Sequence, residues 1–329
     1  MNQEYVLEGK NIYKKLKKFE LNIEKIRIPK GFATALIGEN SAGKTTLINI
    51  LAGIRLDYSG ELSFFGKYNA QDREENPIVK EMIGYTGTSN YYLPHWTISQ
   101  IEEINKLLFQ KFDLNRFRTL CDEMAISSDQ GFEKNKKVCA LSDGTRMKLM
   151  LANVLARDTN LLLLDEPASP LDPLMRDKLC DLIRQYLEAG NGENTVFFST
   201  HNISDMENVT DYAIIMSHGK IIEEGFVEDL KEKYIWIRGN AEDLPKAQDA
   251  MFSIQTNPYG FEGLCLAENL EKLVRGVISH AFTASGKKLR IDRLSGDRFS
   301  GGSDYYYRTD RSRQIYFTWR SLPSDGSQG

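Results

Sequence analysis

The chain has 329 residues, 41% of them hydrophobic and 27% charged, with a net charge of −4 and a pI near 5.8. This is the balance of a globular protein with room for one large domain and an appendage, and its acidity argues against nucleic acid as the main partner. The N-terminal MNQEYVLEGKNIYKK lacks the apolar core of a signal peptide, and no run reaches the roughly 18 apolar residues of a membrane span. Four cysteines (Cys121, Cys139, Cys180 and Cys265) lie far apart with no CxxC pair, which fits reduced thiols in a cytosolic protein.

Taken in chain order, residues 4–28 mix polar and apolar positions, as in ELNIEKIRI, and predict strands of a half-exposed sheet. FATALIG (32–38) predicts a buried strand, and SAGKTTLINILAG (41–53) a helix stopped by Gly53. GELSFFGK (60–67) and EMIGYTG (81–87) read as short strands. Residues 97–157 are helical in period, as in TISQIEEINKLLFQKF and RMKLMLANVLARD. NLLLLDE (160–166) and NTVFFST (194–200) fit central strands of a parallel sheet covered on both faces. Between them, LMRDKLCDLIRQYLEA (174–189) is an amphipathic helix, giving a βαβ unit. YAIIMSHGKIIEEG (212–225) reads as two strands about a tight His-Gly turn. Residues 235–280 are expected to form a small α+β appendage. In 281–329 glycine, serine, arginine and tyrosine dominate. One reading of that stretch is a loosely ordered tail, or a segment foreign to the native protein; the other is an aromatic, basic patch for RNA or membrane.

The chemistry sits in two stretches. GENSAGKTT (38–46) matches G-x-x-x-x-G-K-[ST] and stands between a buried strand and a helix. Its loop N–H groups and the helix N-terminus suit phosphates. Lys44 can bridge the β and γ phosphates, Thr45 can ligate Mg²⁺, and Thr46 can contact the α-phosphate. In LLLLDEP (161–167) the apolar strand carries Asp165 to the sheet edge, where it can hold the metal through water. Glu166 follows, placed to polarise an attacking water.

With LSDGT (141–145), SPLD (169–172) and STH (199–201), these motifs resemble, in order and approximate spacing, those of ATP-binding-cassette (ABC) ATPases, over residues 4–230. The resemblance implies an α/β fold: a P-loop NTPase (RecA-like) core, an antiparallel β subdomain and an inserted α-helical subdomain at about 90–157, within a domain of residues 1–234. It implies binding of ATP and Mg²⁺ through Gly38, Glu39, Asn40, Ser41, Ala42, Gly43, Lys44, Thr45 and Thr46. Two such domains would pair head to tail around two ATP, each nucleotide lying between one phosphate loop and the other subunit's signature motif. LSDGT is that motif by resemblance, with Ser142 and Gly144 at the contacting positions. Asp143 replaces a glycine and Thr145 a glutamine, so a working but weakened contact is expected. His201 takes the switch-histidine position, bonding the γ-phosphate and orienting Glu166, and Asp172 that of the dimer loop.

Other departures bear on rate and base binding. Thr88 stands where the family has a metal-coupled glutamine, and Ser41 where it has a glycine. For the adenine-stacking aromatic, Tyr13 and Phe19 are candidates, although the aligned position falls nearer Leu16. His95, His218 and His280 read as surface or turn residues. Tyr91, Tyr92, Leu93, Trp96 and Ile98 read either as a docking face for a transmembrane permease subunit or as ordinary core. The expected function is the ATPase subunit of an ABC transporter, of export type, at the cytoplasmic face of the membrane, with no nucleic acid expected. The rivals are a soluble family member acting on ribosomes or nucleic acid, and a regulatory subunit that binds ATP but hydrolyses it weakly.

Overall fold

The computed structural model describes residues 4–87, 92–126, 135–269, 280–283 and 288–289. Its contacts divide the chain into two units, Met1–Gly225 and Phe226–Gly329.

The first unit opens with β1 (Tyr5–Leu16) and β2 (Phe19–Pro29), an antiparallel hairpin closed by the Leu16–Phe19 pair. Ile12, Leu21, Ile23, Ile26 and Ile28 are buried, and the alternation along β2 shifts by one residue at the exposed pair Glu24–Lys25. β3 (Ala33–Ile37) leads into the phosphate loop and α1 (Lys44–Leu51). β4 (Ser59–Phe64) and β5 (Tyr68–Asn69) complete an antiparallel sheet of order β2-β1-β4-β5. Next come α2 (Ala70–Glu75), α3 (Pro77–Met82) and β6 (Ile83–Thr86).

The helical insertion contains α4 (Ile98–Leu108), α5 (Leu114–Glu123) and α6 (Asp143–Leu155). Their starts are chemically explicit. Thr97 and Gln100 form a reciprocal capping box, Asp113 caps α5, and Ser142 caps α6. Of the stretch expected either to dock a permease or to fill the core, Tyr92 and Ile98 are buried, and the Tyr92 hydroxyl accepts a hydrogen bond from Asn153 Nδ2 at 2.8 Å. Trp96 packs partly against the core and Leu93 is exposed. Tyr91 lies outside the described residues.

β7 (Leu161–Leu164), α7 (Pro173–Ala189) and β8 (Thr195–Thr200) form the central βαβ unit, followed by β9 (Tyr212–Ser217) and β10 (Lys220–Phe226). The six-stranded order is β10-β9-β3-β8-β7-β6, with parallel pairing from β9 through to β6. The four leucines of β7 are fully buried, each contributing about 2 kcal/mol of transfer free energy. α7 turns Met175, Leu179, Leu182 and Ile183 inward at helical spacing. β9 and β10 meet at His218 and Gly219, both at positive φ (46° and 78°), the backbone that a two-residue hairpin turn requires.

In the second unit, α8 (Val227–Lys233), β11 (Tyr234–Gly239), α9 (Leu244–Ala247), β12 (Met251–Asn257), β13 (Gly260–Leu266), β14 (His280–Thr283) and β15 (Lys288–Leu289) build a sheet of order β12-β13-β11-β14-β15. Ile235, Ile237, Ala247, Phe261 and Cys265 form its small core. The structural division thus falls nine residues before the expected junction at 234/235, because α8 packs on β11. Residues 281–283 and 288–289, expected in a loose tail, pair in this sheet, with Ile235 opposite Thr283. Among the described residues no helix is long and apolar enough to cross a membrane.

Two features set the phosphate loop. Ser41 has φ 70°, a left-handed conformation for which glycine is the natural residue, so the serine there is strained. The far end of α1 is held by Arg73, which is 97% buried by its 3% exposure. Its Nη1 donates to the carbonyls of Ile50 (2.5 Å) and Leu51 (3.1 Å) in the last helical turn, where Ile50 O also accepts from Gly53 N at 3.2 Å. Gly53 (φ 77°) admits this arginine, since a Cβ there would lie 2.9 Å from Arg73 Nε. α1 accordingly ends at Leu51, two residues before the expected stop at Gly53. Ser41→Gly is expected to raise the unfolding free energy by about 0.5–1 kcal/mol in urea denaturation. Arg73→Met, which removes both of these bonds and leaves the Ile50 carbonyl only its bond from Gly53 N, is expected to lower it by about 1–3 kcal/mol in the same assay.

Candidate nucleotide site

The carboxyl ends of the adjacent strands β3, β8 and β7 deliver three loops to one place, as open parallel sheets do. β3 supplies Gly38–Gly43, β7 supplies Asp165 and Glu166, and β8 supplies Ser199 and His201. Gly43 (φ 106°) stands at the start of α1. A Cβ at Gly43 would meet Phe19 Cζ at 2.5 Å, so glycine lets the β1–β2 hairpin press against the loop. Lys44 is buried, and its Nζ donates to the carbonyls of Gly38 (2.7 Å) and Glu39 (3.1 Å) and pairs with Glu166 Oε1 at 3.3 Å. Ala42 is buried, with its carbonyl accepting from Gly219 N at 3.0 Å.

One hydrogen-bonded chain joins the predicted groups. Thr45 Oγ1 donates to Asp165 Oδ1 at 3.2 Å, and Ser199 Oγ donates to the same oxygen at 2.6 Å. Ser199 Oγ also accepts from Glu166 N at 2.9 Å. His201 Nδ1 lies 2.8 Å from Glu166 Oε2. Burial pushes the Asp165 carboxyl above its ordinary range, opposed by the hydrogen bonds from Ser199 and Thr45. Its second oxygen, Oδ2, is buried with no hydrogen-bond partner among the described residues. A solvent-excluded carboxylate oxygen beside a threonine hydroxyl is a donor set suited to a hard divalent cation such as Mg²⁺. Glu166 itself has φ 50°, a strained backbone for a non-glycine residue, held by its three side-chain and backbone partners.

Ser199 was given no role from sequence. The available signal was its place two residues before His201, which follows directly on the end of the same strand. Its partner Asp165 is 34 residues away, so only the strand pairing brings them together.

A cavity of about 980 Å³ opens over the loop, lined by Asn40, Ser41, Gly43, Lys44, Thr45 and Thr46. Glu166 and His201 also face it. Leu16 and Phe19 line its side; Tyr13 does not. Tyr13 sits opposite Asn22 and Ser59 in the antiparallel sheet and is 37% exposed, outside the lining of the cavity. Thr88 lies outside the described residues.

In the LSDGT stretch, Ser142 is spent locally: its Oγ accepts from Thr145 N (3.2 Å) and contacts Thr145 Oγ1 (2.8 Å). The Asp143 side chain is 86% exposed and pairs with Arg146 Nη1 at 3.0 Å, so its charge is largely hydrated and partly neutralised. Both residues line the cavity. Gly144 packs so that a Cβ would lie 2.7 Å from the Pro170 carbonyl. Asp172 is the N-cap of α7, accepting from Met175 N at 3.0 Å. The structure therefore gathers the phosphate loop, Asp165, Glu166 and His201 into one site, and sets Ser142, Gly144 and Asp172 beside it.

Residues 21–169 match the family described as ABC transporter. The chain is 30% identical over 208 residues to an uncharacterised ABC transporter ATP-binding protein of Synechocystis, covering 62% of this chain and 56% of that protein, so it spans a little over half the length of that relative. It is 30% identical to a probable sulfate/thiosulfate import ATP-binding protein of Chlorella vulgaris, covering 68% of this chain and 92% of that one. Among solved structures, a dimeric bacterial ABC transporter cassette superposes with a TM-score of 0.56 at 20% identity, covering 67% of this chain and 98% of the cassette. With a P-loop NTPase core, an antiparallel β sheet and a helical insertion, and with a relative matched over nearly its whole length, the chain belongs to the family of ABC transporter ATP-binding proteins.

Proposed function

We propose that this chain is the ATP-binding and ATP-hydrolysing subunit of an ABC transporter, pairing with a second cassette around two ATP and acting through a separate transmembrane permease at the cytoplasmic face of the membrane. The observation that carries the reading is the unbroken chain Thr45–Asp165–Ser199–Glu166–His201 above the phosphate loop.

In this reading the loop N–H groups and Lys44 bind the ATP phosphates. Thr45 Oγ1, and Asp165 Oδ2 through water, would hold Mg²⁺, which when bound would supply charge neutralisation to the phosphates. Phosphate oxygens offer Lys44 a stronger anionic partner than the loop carbonyls, which frees Glu166 from its 3.3 Å ion pair. Glu166, an acceptor when ionised, then orients water for in-line attack and takes its proton. His201 donates Nδ1–H to Glu166 and fixes its direction. Ser142 and Gly144 of one cassette complete the site of the other, and Asp172 lies in the loop between them. Phe19 and Leu16 form the apolar wall for the base.

Within this function we place export, on the resemblance of a short extension and a degenerate signature to export systems. The Chlorella relative is named as an importer, so direction is decided by transport into or out of vesicles carrying the assembled complex. A second reading, a subunit that binds ATP but turns it over slowly, draws on the Asp143 carboxylate at the signature.

Glu166→Gln is expected to block hydrolysis and trap an ATP-dependent dimer, seen as doubled mass by light scattering in Mg-ATP and absent without ATP. A chain that stays monomeric under both conditions counts against self-pairing. In the same background, Asp143→Gly is expected to lower the ATP concentration at half-dimerisation by about fivefold, since removing one partly screened like charge near a phosphate is worth about 1 kcal/mol. No change would mean that Asp143 does not face the opposing phosphate. Normal wild-type turnover would exclude the slow-subunit reading.

A further inference from the structure

Arg176 joins two loops of the site that the sequence keeps apart. It stands near the N-terminal end of α7, where a cation opposes the helix dipole, so helix stability does not account for it. Its Nε donates to the carbonyl of Leu171, the residue before Asp172, at 2.9 Å. Its Nη1 donates to Asp205 Oδ1 at 2.7 Å, in the short turn Ile203–Asp205 that follows His201. The planar guanidinium fixes both bonds in one geometry.

The Asp205 end is tied back to His201 by local bonds. Asn202 Nδ2 donates to Asp205 Oδ1 at 3.0 Å. Asn202 N donates to Thr200 Oγ1 at 3.0 Å, and Thr200 Oγ1 donates to the Asn202 carbonyl at 2.9 Å. Met206, next in the chain, is fully buried and anchors the turn in the core. The Leu171 end belongs to the segment whose Ser169 and Pro170 line the cavity and whose Pro170 carbonyl touches Gly144. A push on residues 169–172 therefore has a short, hydrogen-bonded route to His201, and from there to Glu166.

We propose that Arg176 is a positioning residue that ties the loop carrying Asp172 to the turn behind His201, so that docking of a second cassette against that loop sets the His201–Glu166 geometry for hydrolysis. This rests on the reading that Glu166 and His201 hydrolyse ATP between paired cassettes. Arg176 touches no nucleotide in this scheme; it acts through Leu171 and Asp205.

The test is single-turnover ATP hydrolysis by the full chain in excess over Mg-ATP, with nucleotide affinity measured separately by a fluorescent ATP analogue. Arg176→Ala is expected to slow hydrolysis by about ten- to a hundredfold, the scale of a misplaced catalytic group, with affinity changed less than about twofold. Asp205→Ala is expected to match it, and the double variant to be no slower than either, because both remove one link. Asp205→Asn keeps an acceptor for Nη1 and is expected to stay near the wild-type rate. Arg176→Lys, with one donor group for two separate acceptors, should fall between. Thermal unfolding of each variant is the check on folding. Wild-type rates in Arg176→Ala, additive effects in the double variant, or equal losses of affinity and rate would each overturn the coupling while leaving the ATPase reading intact. A wild-type chain that binds nucleotide but never hydrolyses it would overturn both.

Discussion

The site depends on one buried charge. Asp165 lies at the end of a strand of four buried leucines, and taking its carboxylate out of water costs several kcal/mol. Hydrogen bonds from Ser199 and Thr45 to one oxygen offset part of that cost, and Asp165 N donates to the Thr86 carbonyl at 2.9 Å. Ser199, Thr45 and the Thr86 carbonyl come from three different elements, β8, α1 and β6. Oδ1 keeps both of its bonds, and Asp165 N its acceptor, only when β6, β7, β8 and α1 are all in register, so the same contacts that make the charge tolerable also align the phosphate loop with Glu166. A shift of any of these elements leaves a buried charge with fewer partners, and that penalty holds the geometry.

Strain is concentrated at the same place. Ser41 and Glu166 both take left-handed backbone conformations within the site. Glu166 is held from three directions, by Lys44, His201 and Ser199. Its side chain is thereby aimed across the cavity rather than along the strand. The stability supplied by the buried sheet is what makes these local departures affordable.

The phosphate loop and the Asp165–Glu166 pair were legible in the sequence because each is a contiguous stretch joined to an apolar run of unambiguous length. The central strands were legible for the same reason: an apolar run bounded by polar turns says buried strand without further information. Ser199, Arg73 and Arg176 were not, because their partners lie 34, 23 and 29 residues away and only the assembled sheet brings them close. Phe19 and Tyr13 look alike as aromatics on neighbouring strands; the register, which pairs Phe19 with Leu16 and Tyr13 with Asn22, separates one that lines the cavity from one that does not. The edge of the second unit was missed because VEDLKEK has a charged surface pattern that fits either side of a junction, and because β14 pairs with β11 across a long separation.

The neighbouring positions 143 and 144 meet opposite constraints. At 143 the side chain leaves the helix N-terminus for solvent, so an aspartate costs nothing in packing. At 144 the Pro170 carbonyl occupies the space of any Cβ, so even alanine would push on the segment that leads to Asp172. Drift in the motif is therefore channelled. Charge at the first position can change at no cost in packing, while the second position keeps two loops in contact. A sequence built on this backbone can vary one exposed charge without rebuilding the joint beneath it.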